Sequence, residues 1–216
     1  MTTLAQRLRS RTWPAHRQVE ATPFVRALIG GRIDRPAYCL LLASLHPIYA
    51  ALEAALRRHA GHAGVAEVFD PALLRESALE QDLAHLHGED WRDGLPPQPA
   101  ALDYAARIET LGQDAPELLL AHAYVRYLGD LSGGQALRRA VSRSLGLSGP
   151  EGTRFYDFGT PGQAEALAQA FRSGLDRVAA DAASREAIVD EAAEGFTRHE
   201  RLVDELERAR EQLSAT

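Results

Sequence analysis

The segment YLGDLSGGQ, residues 127–135, combines helix-forming residues with an acid and several glycines. Gly129, Gly133 and Gly134 interrupt an otherwise helical pattern, in which each glycine costs about 0.5–1 kcal/mol relative to alanine. Two explanations would offset that cost: close packing of two helices, or a helix backbone that lies flat against a large planar ligand. Asp130 lies near the glycine face in helical projection. The segment therefore predicts either a helix contact or one wall of a ligand site with an acid beside it.

Asp130 needs a partner, because a carboxylate on a partly apolar helix is costly to bury alone. Arg126 lies four residues earlier and could pair with it as a simple surface salt bridge. Alternatively, Asp130 anchors buried waters beside a ligand, and Tyr124, Tyr127 and Arg126 complete a polar network. The residues alone leave both interpretations open.

His16 and Glu20 form a second group that could do chemistry. Their spacing of four residues puts both on one helix face, so the carboxylate can accept a hydrogen bond from one ring nitrogen while the other nitrogen binds a metal. The same spacing is typical of an exposed surface pair. The pair by itself does not decide between these functions.

The chain has eight histidines, and the others are weaker candidates for a metal ligand. His122 lies eight residues before Asp130, roughly 12 Å along a helix, and cannot readily serve the same site. His46 precedes Pro47 inside a helical pattern, where we expect a structural role. His199 follows Phe196 in the last predicted helix, and with His46 it is the ligand to test if His16 does not bind the metal. Four more lie in or beside polar segments, are expected to face solvent and lack an evident third metal ligand: His59, His62, His85 and His87.

Residue for residue, the segment 127–135 resembles the distal-helix signature of the heme oxygenases. Residues 42–49, 78–83 and 116–119 also resemble stretches of that family, and the likeness covers roughly residues 3–210. It implies an all-α, single-domain bundle with heme between the first helix and a glycine-kinked distal helix. It also implies oxidative cleavage of heme at a meso carbon, α being expected, to biliverdin, carbon monoxide and ferrous iron.

The resemblance also implies roles for individual residues. Residues 16–26 resemble the proximal helix of the family, with His16 as the iron ligand and Glu20 as its hydrogen-bond partner. The three glycines would let the distal helix approach the heme, and Asp130 would hold waters that donate to the bound oxygen. The remaining implied positions are Arg126 and Tyr49 for catalysis, and Arg9, Tyr124, Arg172, Ser132 and Phe196 for heme binding.

Heme would be both cofactor and substrate, with dioxygen as co-substrate and electrons from ferredoxin or an NADPH-dependent reductase. The sequence departs from some family members at Trp13 and Ala168, where those members carry lysine, so we expect a thinner clamp on the heme carboxylates. A non-catalytic heme carrier on the same fold is an alternative, and it would need His16 but not Asp130. A thiamin-degrading enzyme of similar architecture is disfavoured, because Cys39 has no evident acid partner.

Helix-start signals predict the elements that position these residues. Pro14 either begins a second helix or kinks one continuous helix. We predict seven or eight helices packed as a single domain over residues 1–216. The clearest loop is residues 94–99, and the predicted helices are Asp34 to Leu56, Asp70 to about His87, Asp114 to about Leu145 with Gly146 closing it, one from Thr160, and one from a Ser184 cap to about Glu211.

Composition limits the possible classes of function. The 216 residues are 45% hydrophobic and 25% charged, with a net charge of −6, which argues against a nucleic-acid binder. The single cysteine excludes an internal disulfide and a multi-cysteine metal site, and we expect Cys39 to be a small buried hydrophobe. No apolar secretory core is evident, and residues 40–56 look neither long nor apolar enough to span a bilayer. We therefore expect a cytoplasmic monomer without a membrane anchor.

Overall fold

The structure is a computed structural model that describes residues 2–214, and within that range it contains helices and no strand. This confirms the predicted all-helical class with about eight main helices. Short turns of helix at Ala63–Ala66, Trp91–Gly94 and Leu119–Ala123 connect longer elements. The helices of seven residues or more in the described range are α1 (Leu4–Glu20), α2 (Pro23–Ile29), α3 (Arg35–Arg58), α4 (Glu76–Leu86), α5 (Pro99–Asp114), α6 (Gly129–Leu145), α7 (Pro161–Arg177) and α8 (Ala182–Ser214).

Helix α3 runs through the core and packs against α4, α5 and α8. Its 24 residues include an 18-residue window with a mean hydropathy of 1.6, which by length and composition would suffice to cross a membrane, so the expectation that this stretch is too short and too polar was wrong. However, 72% of the apolar window is buried inside the protein. Packing in the core therefore accounts for its hydrophobicity.

Several helix boundaries follow from their capping residues. Asp34 accepts a hydrogen bond from the Ala37 amide at 2.9 Å at the start of α3, and Thr160 forms a capping box with Gln163 at the start of α7. Gly146 ends α6 with a left-handed φ of 66°. Helix α1 is continuous, with Pro14 inside it, which decides between the two alternatives for that residue.

Two predicted starts were wrong for identifiable reasons. Helix α4 begins at Glu76 and not at Asp70, because the buried Glu53 carboxylate accepts hydrogen bonds from the amides of Arg75 and Glu76 at 2.5 and 3.0 Å. Those bonds satisfy amides that would otherwise need helical partners or water. At α8, Asp181 accepts the hydrogen bond from the Ser184 amide at 2.7 Å, so Ser184 lies inside the helix and does not cap it.

The predicted helix from Asp114 to Leu145 is divided. A 3-10 turn at Pro116–Leu118 and the short helix Leu119–Ala123 lead into a π-helical turn, Tyr124–Leu128, and α6 follows directly. A π turn inserts extra backbone into the helix and shifts the direction of the side chains that follow. It leaves Arg126 and Tyr127 buried at the point where the glycine segment begins.

Helices α1 and α8 form one wall of the region that contains the predicted site residues, since they pack along each other. Helix α6 packs against α2 and α7, and α1 also contacts α7. His16 of α1 and the glycines of α6 therefore come from different walls of the same part of the bundle.

Candidate active site

A chain of hydrogen bonds connects Asp130 to three other helical segments. The Tyr49 hydroxyl, from α3, donates a hydrogen bond to Asp130 Oδ2. Arg126 Nε donates to the same hydroxyl at 3.2 Å, and Arg126 Nη1 donates to His199 Nδ1 of α8 at 3.1 Å. Because the chain spans α3, α6, α8 and the π turn, the tertiary fold fixes the position of the Asp130 carboxylate.

The interpretation of Arg126 and Asp130 as an exposed pair was wrong, since these residues are only 7% and 8% exposed. Their charges are joined through the Tyr49 hydroxyl rather than in a direct ion pair. Tyr124 does not join this network as the second interpretation expected, because its hydroxyl lies 3.3 Å from Thr12 Oγ1 on α1. Tyr127 packs between the rings of Tyr49 and Phe171. Its buried hydroxyl has no hydrogen-bond partner among the described residues.

The electrostatics of Asp130 follow from its burial. Burial raises the pKa of Asp130 to about 6, against the opposing effects of Arg126, Tyr49 and Arg75. Arg75 is a second cation near this acid, and its guanidinium donates to the carbonyls of Leu74 and Asp157, both at 2.6 Å. A carboxyl group with such a pKa can hold or release a proton close to neutral pH.

The glycines of α6 fall into two groups. A Cβ at Gly129 would meet no heavy atom within 4 Å, and one at Gly133 would meet only a Leu137 side-chain atom at 4.0 Å. A Cβ at Gly134 would lie 3.3 Å from the Tyr156 carbonyl oxygen. Gly134 therefore allows close packing within the protein, while Gly129 and Gly133 border open space, which the ligand explanation requires. Ser132 is exposed.

His16 is held loosely by comparison. Its Nδ1 lies 3.5 Å from Glu20 Oε2, and the His16 side chain is 39% exposed. The Trp13 ring stacks on the imidazole with centroids 5.7 Å apart and an interplanar angle of 7°, and Phe196 of α8 meets it edge-on at 6.0 Å. His16 thus lies between two aromatic rings with one acceptor near its Nδ1.

Three of the predicted heme-binding residues lie together at the α1–α7 junction. Burial raises the pKa of Tyr124, while the Thr12 hydrogen bond and the charges of Arg9 and Arg172 oppose the rise, so both guanidinium groups lie within electrostatic range of this hydroxyl. Arg172 also lies 3.6 Å from the exposed carboxylate of Glu165. A phenol and two arginines in one place form a donor set suited to an anionic group such as a carboxylate.

His46 has structural partners, as expected, and so does His122. His122 is fully buried, with Nδ1 3.2 Å from the Tyr104 hydroxyl and Nε2 3.0 Å from Glu191 Oε1. His46 Nε2 lies 3.3 Å from Glu80 Oε1, and its ring meets the Trp91 ring edge-on. Both imidazoles are therefore held by the fold.

The four remaining histidines differ from the expectation in part. His85 and His87 are exposed, but His59 and His62 are partly buried and bond to the backbone at Gly112 and Gly64. A histidine beside a chain turn can satisfy a nearby backbone group, which composition does not reveal.

The residues present fit a heme. The open faces of Gly129 and Gly133 leave room for a flat group against α6, and His16 with Glu20 offers an imidazole whose orientation a carboxylate can fix. The phenol and arginines near Thr12 suit the heme carboxylates. Sequence reasoning missed Arg75, which no pattern indicated, and it considered His199 only as a substitute ligand and not as a partner of Arg126. His199 follows Phe196 by three residues and so shares its helix face.

Comparison with known proteins gives a consistent result. The sequence profile of the family described as "Heme oxygenase" matches residues 2–205. The chain is 38% identical to heme oxygenase 2 of the cyanobacterium Synechocystis over 210 residues, 96% of this chain and 84% of that protein. The crystal structure of that organism's heme oxygenase-2 in complex with heme and NO matches with a TM-score of 0.93 at 36% identity, over 98% of this chain and 88% of the other. Heme oxygenase-1 of Synechocystis in complex with heme matches with a TM-score of 0.91 at 32% identity, over 99% of this chain and 96% of the other.

Proposed function

The chain belongs to the heme oxygenase family and is a heme-degrading oxygenase, and from this premise we propose that it opens the ring at the α-meso carbon. The products would be biliverdin, carbon monoxide and ferrous iron. Heme serves as the substrate and supplies the iron at which dioxygen is activated. The observation that carries the proposal is the open space over Gly129 and Gly133, directly beside a buried, hydrogen-bonded Asp130.

We propose that His16 binds the iron through Nε2 and that Glu20 orients the ring. In this structure His16 Nδ1 is buried without a hydrogen-bond partner, and Glu20 Oε2 lies 3.5 Å from it. A small movement would let the carboxylate, which can only accept, take a hydrogen bond from Nδ1 and leave the lone pair on Nε2. The stacked Trp13 ring and the edge of Phe196 restrict rotation of the imidazole.

Asp130 would hold and deliver protons through water. Its carboxylate is fixed by Tyr49, and its pKa of about 6 lets the group accept and return a proton at neutral pH. The charge of Arg126 supports the ionised form without contacting it directly. The unpartnered Tyr127 hydroxyl would bind a water in the same region.

The α-position follows from fixing the rotation of the heme about its own normal. We propose that Tyr124, Arg9 and Arg172 bind the heme carboxylates at one edge, because α1 and α7 pack against each other and the charges of both arginines act on the Tyr124 hydroxyl. Trp13 and Ala168, at the positions where some family members carry lysine, add no charge to this clamp on the carboxylates. Trp13 stacks on His16, and Ala168 is buried. One fixed edge would leave one meso carbon facing the oxygen site beside Asp130.

We further propose that electrons come from a ferredoxin or an NADPH-dependent reductase, and that the protein acts as a cytoplasmic monomer. The buried thiol of Cys39 has its pKa raised by burial to about 11, which makes it a poor redox group within the chain. An external electron donor is therefore part of the proposal.

Chromatography of the bilin isomers tests the α-position. We expect the wild-type protein with hemin, ferredoxin and its reductase to give mainly the α isomer, and Arg172→Ala to raise the share of other isomers several-fold. Arg208→Ala removes an exposed arginine of α8 and serves as the matched control, which should not change the isomer ratio. A dominant β or δ product from the wild type would contradict the proposed orientation. Stable heme binding without any bilin would favour the carrier alternative.

A further inference from the structure

Arg126 determines which ring nitrogen of His199 carries the proton. Arg126 Nη1 lies 3.1 Å from His199 Nδ1, and a guanidinium group is only ever a donor. The Nδ1 atom must therefore accept, which makes the imidazole neutral and puts its single proton on Nε2. Burial, with the charges of Arg126 and His16, lowers the pKa of His199 to about 3, in agreement with a neutral ring.

His16 lies within electrostatic range of His199, and different groups face the Nδ1 atoms of the two rings. Phe196 is three residues before His199 on one face of α8, and its ring contacts the His16 imidazole at 6.0 Å. The nearest partner of His16 Nδ1 is the acceptor Glu20, whereas the partner of His199 Nδ1 is the donor Arg126. The hydrogen bond from Arg126 thus requires a lone pair on His199 Nδ1, whereas His16 Nδ1 has no hydrogen bond and faces an acceptor at 3.5 Å, which favours a proton there.

We propose that Arg126 locks His199 in the Nε2–H tautomer, so that the imidazole cannot bind iron and serves instead as a hydrogen-bond donor and as the anchor of Arg126. Only a ring nitrogen with a free lone pair can bind a metal, and in His199 the Nδ1 lone pair accepts from Arg126 while Nε2 carries the proton. The inference rests on the proposed function in that it takes His16 as the ligand.

This arrangement has a consequence for dioxygen. If two imidazoles bound the iron, the position that dioxygen needs would be filled. A histidine near the heme site is therefore a hazard unless its tautomer is fixed. His199 would also fix Arg126, whose other hydrogen bond orients the Tyr49 hydroxyl that donates to Asp130. His199 is in that sense a positioning residue for the proton-handling network.

The tautomers can be measured without heme. In apoprotein labelled with ¹⁵N-histidine, two-bond proton–nitrogen correlation spectra distinguish the protonated ring nitrogen from the bare one. We expect Nε2 to be protonated in His199 and Nδ1 in His16, with His199→Asn and His16→Ala assigning the two signals. A His199 ring protonated at Nδ1, or at both nitrogens at pH 7, would overturn the inference while leaving the ligand assignment of His16 intact.

The second experiment releases the lock in the heme-bound protein. In Arg126→Leu, His199 can adopt either tautomer, and we expect the ferric heme complex to gain a low-spin, bis-imidazole signal in electron paramagnetic resonance. The double variant Arg126→Leu with His199→Asn should lose that signal. A wild-type spectrum in Arg126→Leu would contradict the lock.

The variant His16→Ala separates this inference from the proposed function. If His16 is the ligand and His199 is locked, the variant should show no protein imidazole on the iron until imidazole is added. A histidine-ligated spectrum that disappears with His199→Asn would show that His199 can bind iron and would overturn the lock. An unchanged wild-type spectrum that also survives His199→Asn would instead contradict the assignment of His16.

Discussion

On the distal side, Asp130 and Arg126 are buried and bound into one chain with Tyr49, whereas on the proximal side His16 is 39% exposed and has a single acceptor at 3.5 Å. The distal groups are fixed by α3, α6 and α8 together, before any ligand arrives. The proximal group depends on one helix and two aromatic contacts. If the proposed roles hold, the proton-handling groups are preorganised in the core, whereas His16 becomes fixed only when heme binds.

The comparison predicts its largest effect at His16. His16→Ala should lower bilin formation more than 100-fold while the apoprotein unfolds within a few degrees of the wild type, because a half-exposed side chain is replaced by a better helix former. Turnover, thermal unfolding and the Soret spectrum measure this. His85→Ala, at another exposed histidine, is the control, and normal turnover in His16→Ala would contradict the proximal assignment.

The next effect concerns stability at Asp130. Its folded pKa of about 6 lies above the usual value of about 3.9, so the ionised carboxylate destabilises the native state above pH 6, and that cost disappears as the pH falls toward 4. Asp130→Asn should therefore raise the free energy of unfolding of the apoprotein at pH 8, by at most about 3 kcal/mol, and leave it unchanged near pH 4.

Urea unfolding at several pH values tests this second prediction. Asp204→Asn, at an exposed acid of α8, should show no such pH-dependent gain. If Asp130→Asn instead destabilised the apoprotein at pH 8, the ionised carboxylate would stabilise the native state, and that would contradict the prediction.

The glycines of α6 allow a matched pair of smaller changes. Gly129→Ala should stabilise the apoprotein by about 0.5–1 kcal/mol, because its Cβ would enter open space. Gly134→Ala should stabilise it less or destabilise it, since its Cβ would press on the Tyr156 carbonyl at 3.3 Å. Heme titration should give the opposite order, with the larger loss of affinity in Gly129→Ala. Equal effects of both variants on heme affinity would contradict the division into a ligand face and a packing face.

The smallest expected effect is at Glu20. Glu20→Gln keeps an acceptor oxygen near His16 Nδ1 but removes the charge, so heme affinity should change by only about twofold, as for other exposed charge interactions. The iron–histidine stretching frequency in resonance Raman spectra should fall slightly, because the ligand becomes less basic. An unchanged frequency would show that Glu20 does not act on the ring.

Local signals predicted much of the fold. Asp34, Thr160 and Gly146 mark helix ends through bonds or backbone angles that involve only nearby residues, and these predictions were confirmed. The start of α4 could not be predicted, because it depends on the carboxylate of Glu53, more than twenty residues away in the chain. Sequence reasoning is limited in this way wherever a distant side chain satisfies the backbone.

The same limit applies to the site. The glycine segment and Asp130 carry a strong local pattern, and they were found from sequence. Arg126 is buried within the π turn, which no residue pattern predicted. The Arg126 side chain is linked to Asp130 through the hydroxyl of Tyr49, which belongs to another helix. For that reason His199 was expected only as a substitute ligand and its hydrogen bond to Arg126 was not predicted, although its spacing from Phe196 puts both on one helix face.

The most direct test of the account is the product that Asp130→Asn makes in a single turnover with reductant and dioxygen. The side chains are nearly isosteric and both can accept from Tyr49, so packing and heme affinity should change little. If Asp130 handles protons through water, the variant should lose most biliverdin and gain peroxidase-like oxidation of added guaiacol when given hydrogen peroxide. Wild-type yields of biliverdin from the variant, without guaiacol oxidation, would contradict the central role of Asp130.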